Sequence, residues 1–301
     1  MKNRLLLIPA VSVVIILLIV GSFCDLQIAQ GIYLADNGFS HFMSAFTFFP
    51  ICFMGAFMCG NLLRIVINKR IKVIWANILL VVISVGLLVY FAYFMGSHIT
   101  TYHSYNLPSY LAIPIGLPIV VVGYLLGIFF FHLVDSHNLK QLFIIYAFLV
   151  VLAFASNGLI LLIKYATPRL RYTSVIDPQM GADFFRPWYA PDYGLKKYLE
   201  EAGIKLINSE ETASFPSGHA EIALVTAFIL IFIPKIFNRF KNREVYFFYG
   251  GFIFFLLVAF SRMLIGAHYL SDTMFAGLIC LALYFIANEV YLRKLNQGGN
   301  L

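Results

Sequence analysis

Charge is scarce in this chain. Only 12% of its 301 residues are Asp, Glu, Lys or Arg, where soluble domains carry about 25%. That excludes an ordinary soluble globular domain. Cysteine is sparse too: Cys24, Cys52, Cys59 and Cys280 lie in or beside apolar runs and form no C-x-x-C pair. Neither a zinc site nor a disulfide framework is indicated. Cys24 follows the first apolar run, as in a lipoprotein leader. Phe23 fills the preceding position, where signal cleavage needs a small residue, so the N-terminus reads as an uncleaved signal anchor. Heptads, low-complexity tracts and short repeats are also missing, which sets aside coiled coils and solenoids. A transporter or channel needs polar groups along the middle of its spans. Here the charges gather at span ends, which argues against that class.

What the chain does contain is apolar sequence, 61% of it. Runs long enough to cross a bilayer recur about eight times, near residues 5–23, 44–63, 73–95, 111–134, 142–163, 220–237, 245–265 and 269–291. The expected fold is an all-α polytopic membrane bundle. Between the fifth and sixth runs lies the only long polar stretch, Lys164 to His219. Inside it, Tyr193 to Gly203 fits a short amphipathic helix with Leu195, Tyr198 and Leu199 on one side. The prolines Pro187 and Pro191 fit a loop before it. Ahead of the second run, Asp25, Asp36 and Asn37 make a short acidic-polar link.

The net charge of +7 would indicate nucleic acid in a soluble protein, but the placement of the basic residues explains it better. Eight spans put both termini on one side, where 13 Lys and Arg fall against 8 on the other. The positive-inside rule makes the terminal side cytoplasmic. Seven of the outer eight lie between Lys164 and Lys205, and the eighth is Arg262. They break a pattern that the rest of the chain obeys, so they need a reason of their own.

Three clusters fall on that outer face: Lys164 and Arg171 with Arg169 between them, Phe215-Pro216-Ser217-Gly218-His219, and Ser261 to Asp272. Lys164, Arg171 and Arg262 supply cations, and guanidinium forks suit phosphate oxygens. Ser217 and Gly218 sit where a helix starts, with free N–H groups and the positive dipole end facing outward. His268 and Asp272 are four apart and share a helix face, so the carboxylate can fix the imidazole tautomer. Two histidines in such a pocket allow covalent phosphoryl transfer. His268 attacks phosphorus, His219 protonates the departing oxygen, and the roles reverse for water.

These clusters resemble the three signature motifs of the type 2 phosphatidic acid phosphatase family, whose relatives include the vanadium haloperoxidases. The second motif, Pro-Ser-Gly-His, is complete at Pro216 to His219, and the third, Ser-Arg-x5-His-x3-Asp, at Ser261 to Asp272. The first, Lys-x6-Arg-Pro, departs once: Tyr172 stands in place of the proline. A changed loop path with activity kept is the expectation there. The resemblance implies that Lys164, Arg171, Arg262, Ser217 and Gly218 hold the phosphate, with His219 as general acid, His268 as nucleophile and Asp272 as its orienting partner. It also implies no metal and no cofactor, and a phosphorylated membrane lipid or isoprenoid as substrate. Undecaprenyl diphosphate, phosphatidylglycerol phosphate, phosphatidic acid and a lipid A phosphate all fit. The expected setting is the bacterial inner membrane, with the site on the extracytoplasmic side. Many members have six spans, so residues 1–72 read as an added N-terminal pair before a core at 73–301, with the catalytic loop at 164–219. A phosphotransferase of the same fold, passing the phosphoryl group to a lipid or sugar, is the alternative.

Other polar residues carry less. His132 and His137 fall on the cytoplasmic side. His41, His98 and His103 read as structural, because nothing pairs with them at ligand spacing. Asn157 reads as an interhelical hydrogen bond. Glu221 either tunes the pocket or pairs with a loop cation. Trp188 and Tyr189 read as interfacial anchors of the outer loop.

Overall fold

The computed structural model describes residues 2–68, 71–102, 108–133, 139–178, 181–201, 203 and 209–298. The first helices are α1 (Lys2–Ile32), the short α2 (Gly38–Phe46), α3 (Phe49–Ile67), α4 (Ile74–Tyr102), α5 (Ala112–Phe129) and α6 (Leu139–Ala166). The short helices α7 (Tyr172–Val175) and α8 (Leu195–Glu201) follow, then α9 (Gly218–Ile231), α10 (Ile233–Ile236), α11 (Glu244–Leu264) and α12 (Leu270–Gly298). The architecture is the expected all-α polytopic bundle, and no strand occurs among the described residues. Seven helical segments there are long and apolar enough to cross a membrane. Apolar side chains such as Ile16, Phe154, Leu162 and Ile286 stand exposed along them, as lipid-facing positions do.

The expected sixth span is shorter than the rest. Its helix α9 has 14 residues and stops at Ile231, before α10 resumes. Pro234 accounts for the break: it has no N–H for the Leu230 carbonyl, and its ring crowds that oxygen. Prolines elsewhere are absorbed, Pro9 in α1 and Pro118 in α5 among them, as membrane helices tolerate.

Two compact units emerge. One contains residues 1–40, 147–228 and 248–301; the other contains 41–146 and 229–247. The first helix therefore groups with the segments that carry all three motifs, and α1 packs along α12. In the other unit α3, α4 and α5 pack on one another, with Ala56, Ala92 and Val120 in the seam. His98 stacks on Phe48 there, at 3.6 Å between ring centroids.

Between α6 and α9 the polar stretch is folded. In α8, Leu195 and Leu199 are buried against Leu170 and Val175, whereas Tyr198 is exposed. Two of the three apolar positions expected on one face thus face the core.

Candidate active site

Backbone bonds bring the three motifs together. The segment after α6 runs parallel to the segment before α9 in a single bridge, Arg169 to Ala213. The Arg169 N–H donates to the Thr212 carbonyl at 2.9 Å, and the Ser214 N–H donates to the Arg169 carbonyl at 3.0 Å. That sets the first motif beside the second. The third is tied in by the Ser217 N–H, which donates to the Asp272 carbonyl at 3.1 Å, and by the Thr173 N–H, which donates to Gly266 at 3.3 Å. Gly266 ends α11 with a φ of +66°, the left-handed cap that glycine adopts at no steric cost. The turn returns the Ala267 and His268 N–H groups to the Arg262 carbonyl, at 3.1 and 3.3 Å. His268 is thereby fixed beside the buried Arg262.

The imidazole of His268 is 2% exposed. Its Nδ1 lies 2.6 Å from the Ser214 carbonyl oxygen. A carbonyl only accepts, so Nδ1 carries the proton and Nε2 keeps its lone pair. Burial, with Lys164 and Arg262 nearby, holds this imidazole far below its ordinary range, at about 3, against the pull of Asp272. It is neutral at physiological pH. Asp272 was expected to orient the ring directly, but its Oδ2 lies 3.8 Å from Nδ1, too far for a hydrogen bond. That oxygen accepts instead from Ser214 Oγ at 2.6 Å and from the Tyr269 N–H at 2.8 Å. The carboxylate thus steadies the ring through Ser214.

The expected phosphate ligands converge. Lys164, in the last turn of α6, shares its field with Arg171, Arg262, Glu210 and Asp272. Gly218 opens α9 and His219 follows, buried in the first turn. Arg171 is engaged by Glu210, Nη2 to Oε2 at 2.6 Å. Burial pushes the Glu210 carboxyl up, but Arg171, Lys164 and His268 outweigh it and hold the group below the usual range. Tyr172, at the position of the family proline, opens α7 and lies buried edge-on to Tyr33 and Tyr269, with centroids 5.2 and 6.4 Å apart.

Several participants had no assigned role. Arg169 is 2% exposed and forms ion pairs with Asp272 and Asp25. Ser214 contributes a carbonyl and a hydroxyl, and Glu210 a carboxylate. Asp25 carries one signal in the sequence, an acidic residue at the end of an apolar run. Among the rest, Glu221 is buried and accepts from Ser156 Oγ and from Asn157 Nδ2, so it pairs with α6 rather than with a loop cation. Asn157 makes the interhelical bond expected of it. Trp188 donates to Ser22 Oγ at 2.9 Å and stacks on Phe215, with centroids 5.6 Å apart. His132 Nδ1 sits 2.9 Å from the Phe129 carbonyl, and His103 and His137 lie outside the described residues. No group of three or more His, Cys, Asp or Glu side chains that could hold a metal ion occurs among the described residues.

A model of the PAP2 superfamily matches residues 144–295, from α6 to α12. The chain belongs to the PAP2 superfamily. Neither a curated protein nor a solved structure matches it. Membership points to a phosphatase, and the apolar helices make this PAP2 protein an integral membrane one. The matched residues contain every position of the three motifs and leave out α1.

Proposed function

We propose that this protein hydrolyses the phosphate or diphosphate of a membrane lipid or isoprenoid, through a phosphohistidine on His268, at the extracytoplasmic edge of a bacterial inner membrane. The observation that carries the reading is the His268 Nδ1–H locked on the Ser214 carbonyl. It leaves the Nε2 lone pair available beside Lys164, Arg171 and Arg262. A neutral imidazole is the nucleophilic form, and the cations offset the charge of the approaching phosphate.

Nε2 of His268 forms a bond to phosphorus while the bond from phosphorus to the lipid oxygen breaks. His219 gives that oxygen its proton. Water then attacks the phosphohistidine, passes a proton to His219, and displaces Nε2 as inorganic phosphate leaves. Gly218, at the N-terminus of α9, adds a backbone N–H for the phosphate oxygens, and Ser217, whose own N–H donates to the Asp272 carbonyl, adds its hydroxyl. Lys164, Arg171 and Arg262 hold it, and Asp272 steadies the ring. Tyr172 stands outside this set, so activity survives the missing proline.

The test is phosphate release from a panel of lipid phosphates and diphosphates in EDTA, with His268→Ala as the blank. Release by the wild type and none by the blank is expected. Full activity in His268→Ala would overturn the mechanism. Transfer of labelled phosphoryl to an added lipid or sugar, without net release, would make the protein a phosphotransferase.

A further inference from the structure

We propose that Asp25 of α1 is a positioning residue of the catalytic centre, acting through Arg169 on Asp272. The proposal rests on reading His268 as the nucleophile. The Arg169 guanidinium lies between two carboxylates: Nη2 reaches Asp25 Oδ2 at 2.9 Å, and Nη1 pairs with Asp272 Oδ1. Ser271 closes the other side, accepting from Nη1 at 2.9 Å and donating its hydroxyl to Asp25 Oδ2. The Ser271 N–H donates to Asp25 Oδ1 at 3.0 Å. Arg169 Nε reaches the Arg186 carbonyl at 3.0 Å, and the guanidinium lies 4.3 Å from the Tyr269 ring centroid and 5.3 Å from that of Phe185. Asp25, Arg169, Ser271 and Asp272 are all buried, none above 4% exposed.

Two consequences follow. The guanidinium cannot swing away, so the Asp272 carboxylate it grips is fixed, and with it Ser214 and the His268 ring. The charge balance also matters. Two carboxylates and one guanidinium leave a surplus negative charge behind the imidazole. Phosphorylation at Nε2, with Nδ1–H retained, turns that ring into a cation. The surplus charge stabilises this state more than the resting one, and this lowers the barrier. Without Asp25, Arg169 would cancel Asp272 and the surplus would vanish. The helix is shaped for the contact. Gly21, one turn before Asp25, faces the start of α12, where an added Cβ would lie 2.7 Å from the Ser271 nitrogen. Asp25 lies outside the residues matched by the family model, so this contribution comes from the part of the chain that the family pattern does not cover.

The deciding experiment compares Asp25→Asn, Ser271→Ala and His268→Ala in purified full-length protein, on a lipid phosphate that the wild type hydrolyses. Asparagine keeps the shape, removes the charge and replaces one of the two accepting oxygens with a donor. Its kcat should fall about tenfold to a hundredfold, the usual range for residues that orient catalytic groups. Its KM should stay within about twofold, because the phosphate ligands are untouched. Labelled phosphoenzyme, trapped by alkaline quench, should fall with kcat. The double variant Asp25→Asn/Asp272→Asn should be no slower than Asp272→Asn alone, since both act through one pathway. A purely structural role predicts less folded protein with kcat per folded enzyme unchanged, and that result overturns the proposal. So does a KM rise equal to the kcat loss. If Asp25→Asn does not accumulate, Ser271→Ala decides the matter, through a severalfold kcat loss at constant KM or none. Activity retained in His268→Ala removes the underlying reading. An inactive His268→Ala with wild-type kcat in Asp25→Asn overturns only the role of Asp25.

Discussion

His268 Nδ1 lies 2.6 Å from the carbonyl oxygen of Ser214 and 3.8 Å from Oδ2 of Asp272. The tautomer is therefore set by a backbone oxygen that no substitution at Asp272 removes. Asp272→Asn keeps Nε2 as the attacking nitrogen but loses the stabilisation of the cationic ring and one of the two oxygens that accept from Arg169, Ser214 and Tyr269. Its kcat should fall about tenfold to a hundredfold with little change in KM, as steady-state phosphate release will measure. Ser214→Ala keeps the carbonyl and loses only the hydroxyl bond to the carboxylate. It should lose less than Asp272→Asn.

Acidification gives a second prediction, and its sign follows from burial. An unfolded histidine takes up its proton near pH 6.5, whereas His268 resists until about 3. Between those values the unfolded chain binds the extra proton. Stability thus rises with pH across the window and is lost as pH falls below about 6.5, by at most about 1.4 kcal/mol per pH unit from this group. The thermal midpoint of the detergent-solubilised wild type should drop between pH 7 and 4, and that of His268→Gln should drop less steeply. Equal slopes would assign the acid sensitivity to another residue.

Glu210 offers a third. It holds Arg171 at 2.6 Å with its own side chain 56% exposed, so an incoming phosphate has to displace it. Exposed pairs are worth about 0.2–1 kcal/mol, which converts to no more than about fivefold. Glu210→Gln should lower KM by up to that factor and tighten inhibition by inorganic phosphate in step, with kcat near wild type. A raised KM would mean that Glu210 holds Arg171 in its binding position rather than competing for it.

These cases also mark how far residue spacing reaches. Lys164, Arg171, His219, Arg262 and His268 stand out as candidates in the sequence because a charge-poor membrane chain has few cations and imidazoles, and these fall in three short motifs. The helical bundle was legible because its spans are long apolar runs, although the α9 run hides the break before Pro234. Ser214 left no trace, since what it gives His268 is a main-chain carbonyl that any residue could give. Asp25 and Arg169 are 144 positions apart, and only the packing of α1 on α12 makes them partners. A division of the chain at residue 72 follows from the extra length before the family core. α1 itself packs along α12, within the unit that carries the motifs.

Gly21 is where this last relationship is most exposed to test. A methyl group there would lie 2.7 Å from the Ser271 nitrogen and 3.0 Å from Asp25 Oδ1. The first of these is backbone at the start of α12 and cannot rotate aside. Gly21→Ala should push α1 away from Ser271 and loosen the grip of Asp25 on Arg169. Overpacking of this kind costs about 1–3 kcal/mol, seen as a lower thermal midpoint. Because the displaced atoms lead to Asp272, kcat should fall severalfold as well, with KM unchanged. Gly31 on the same helix has nothing within 4 Å of an added Cβ, so Gly31→Ala supplies the control and should match wild type in both midpoint and kcat. If the two alanine variants lose kcat equally, the effect belongs to α1 as a whole and not to its contact with Ser271.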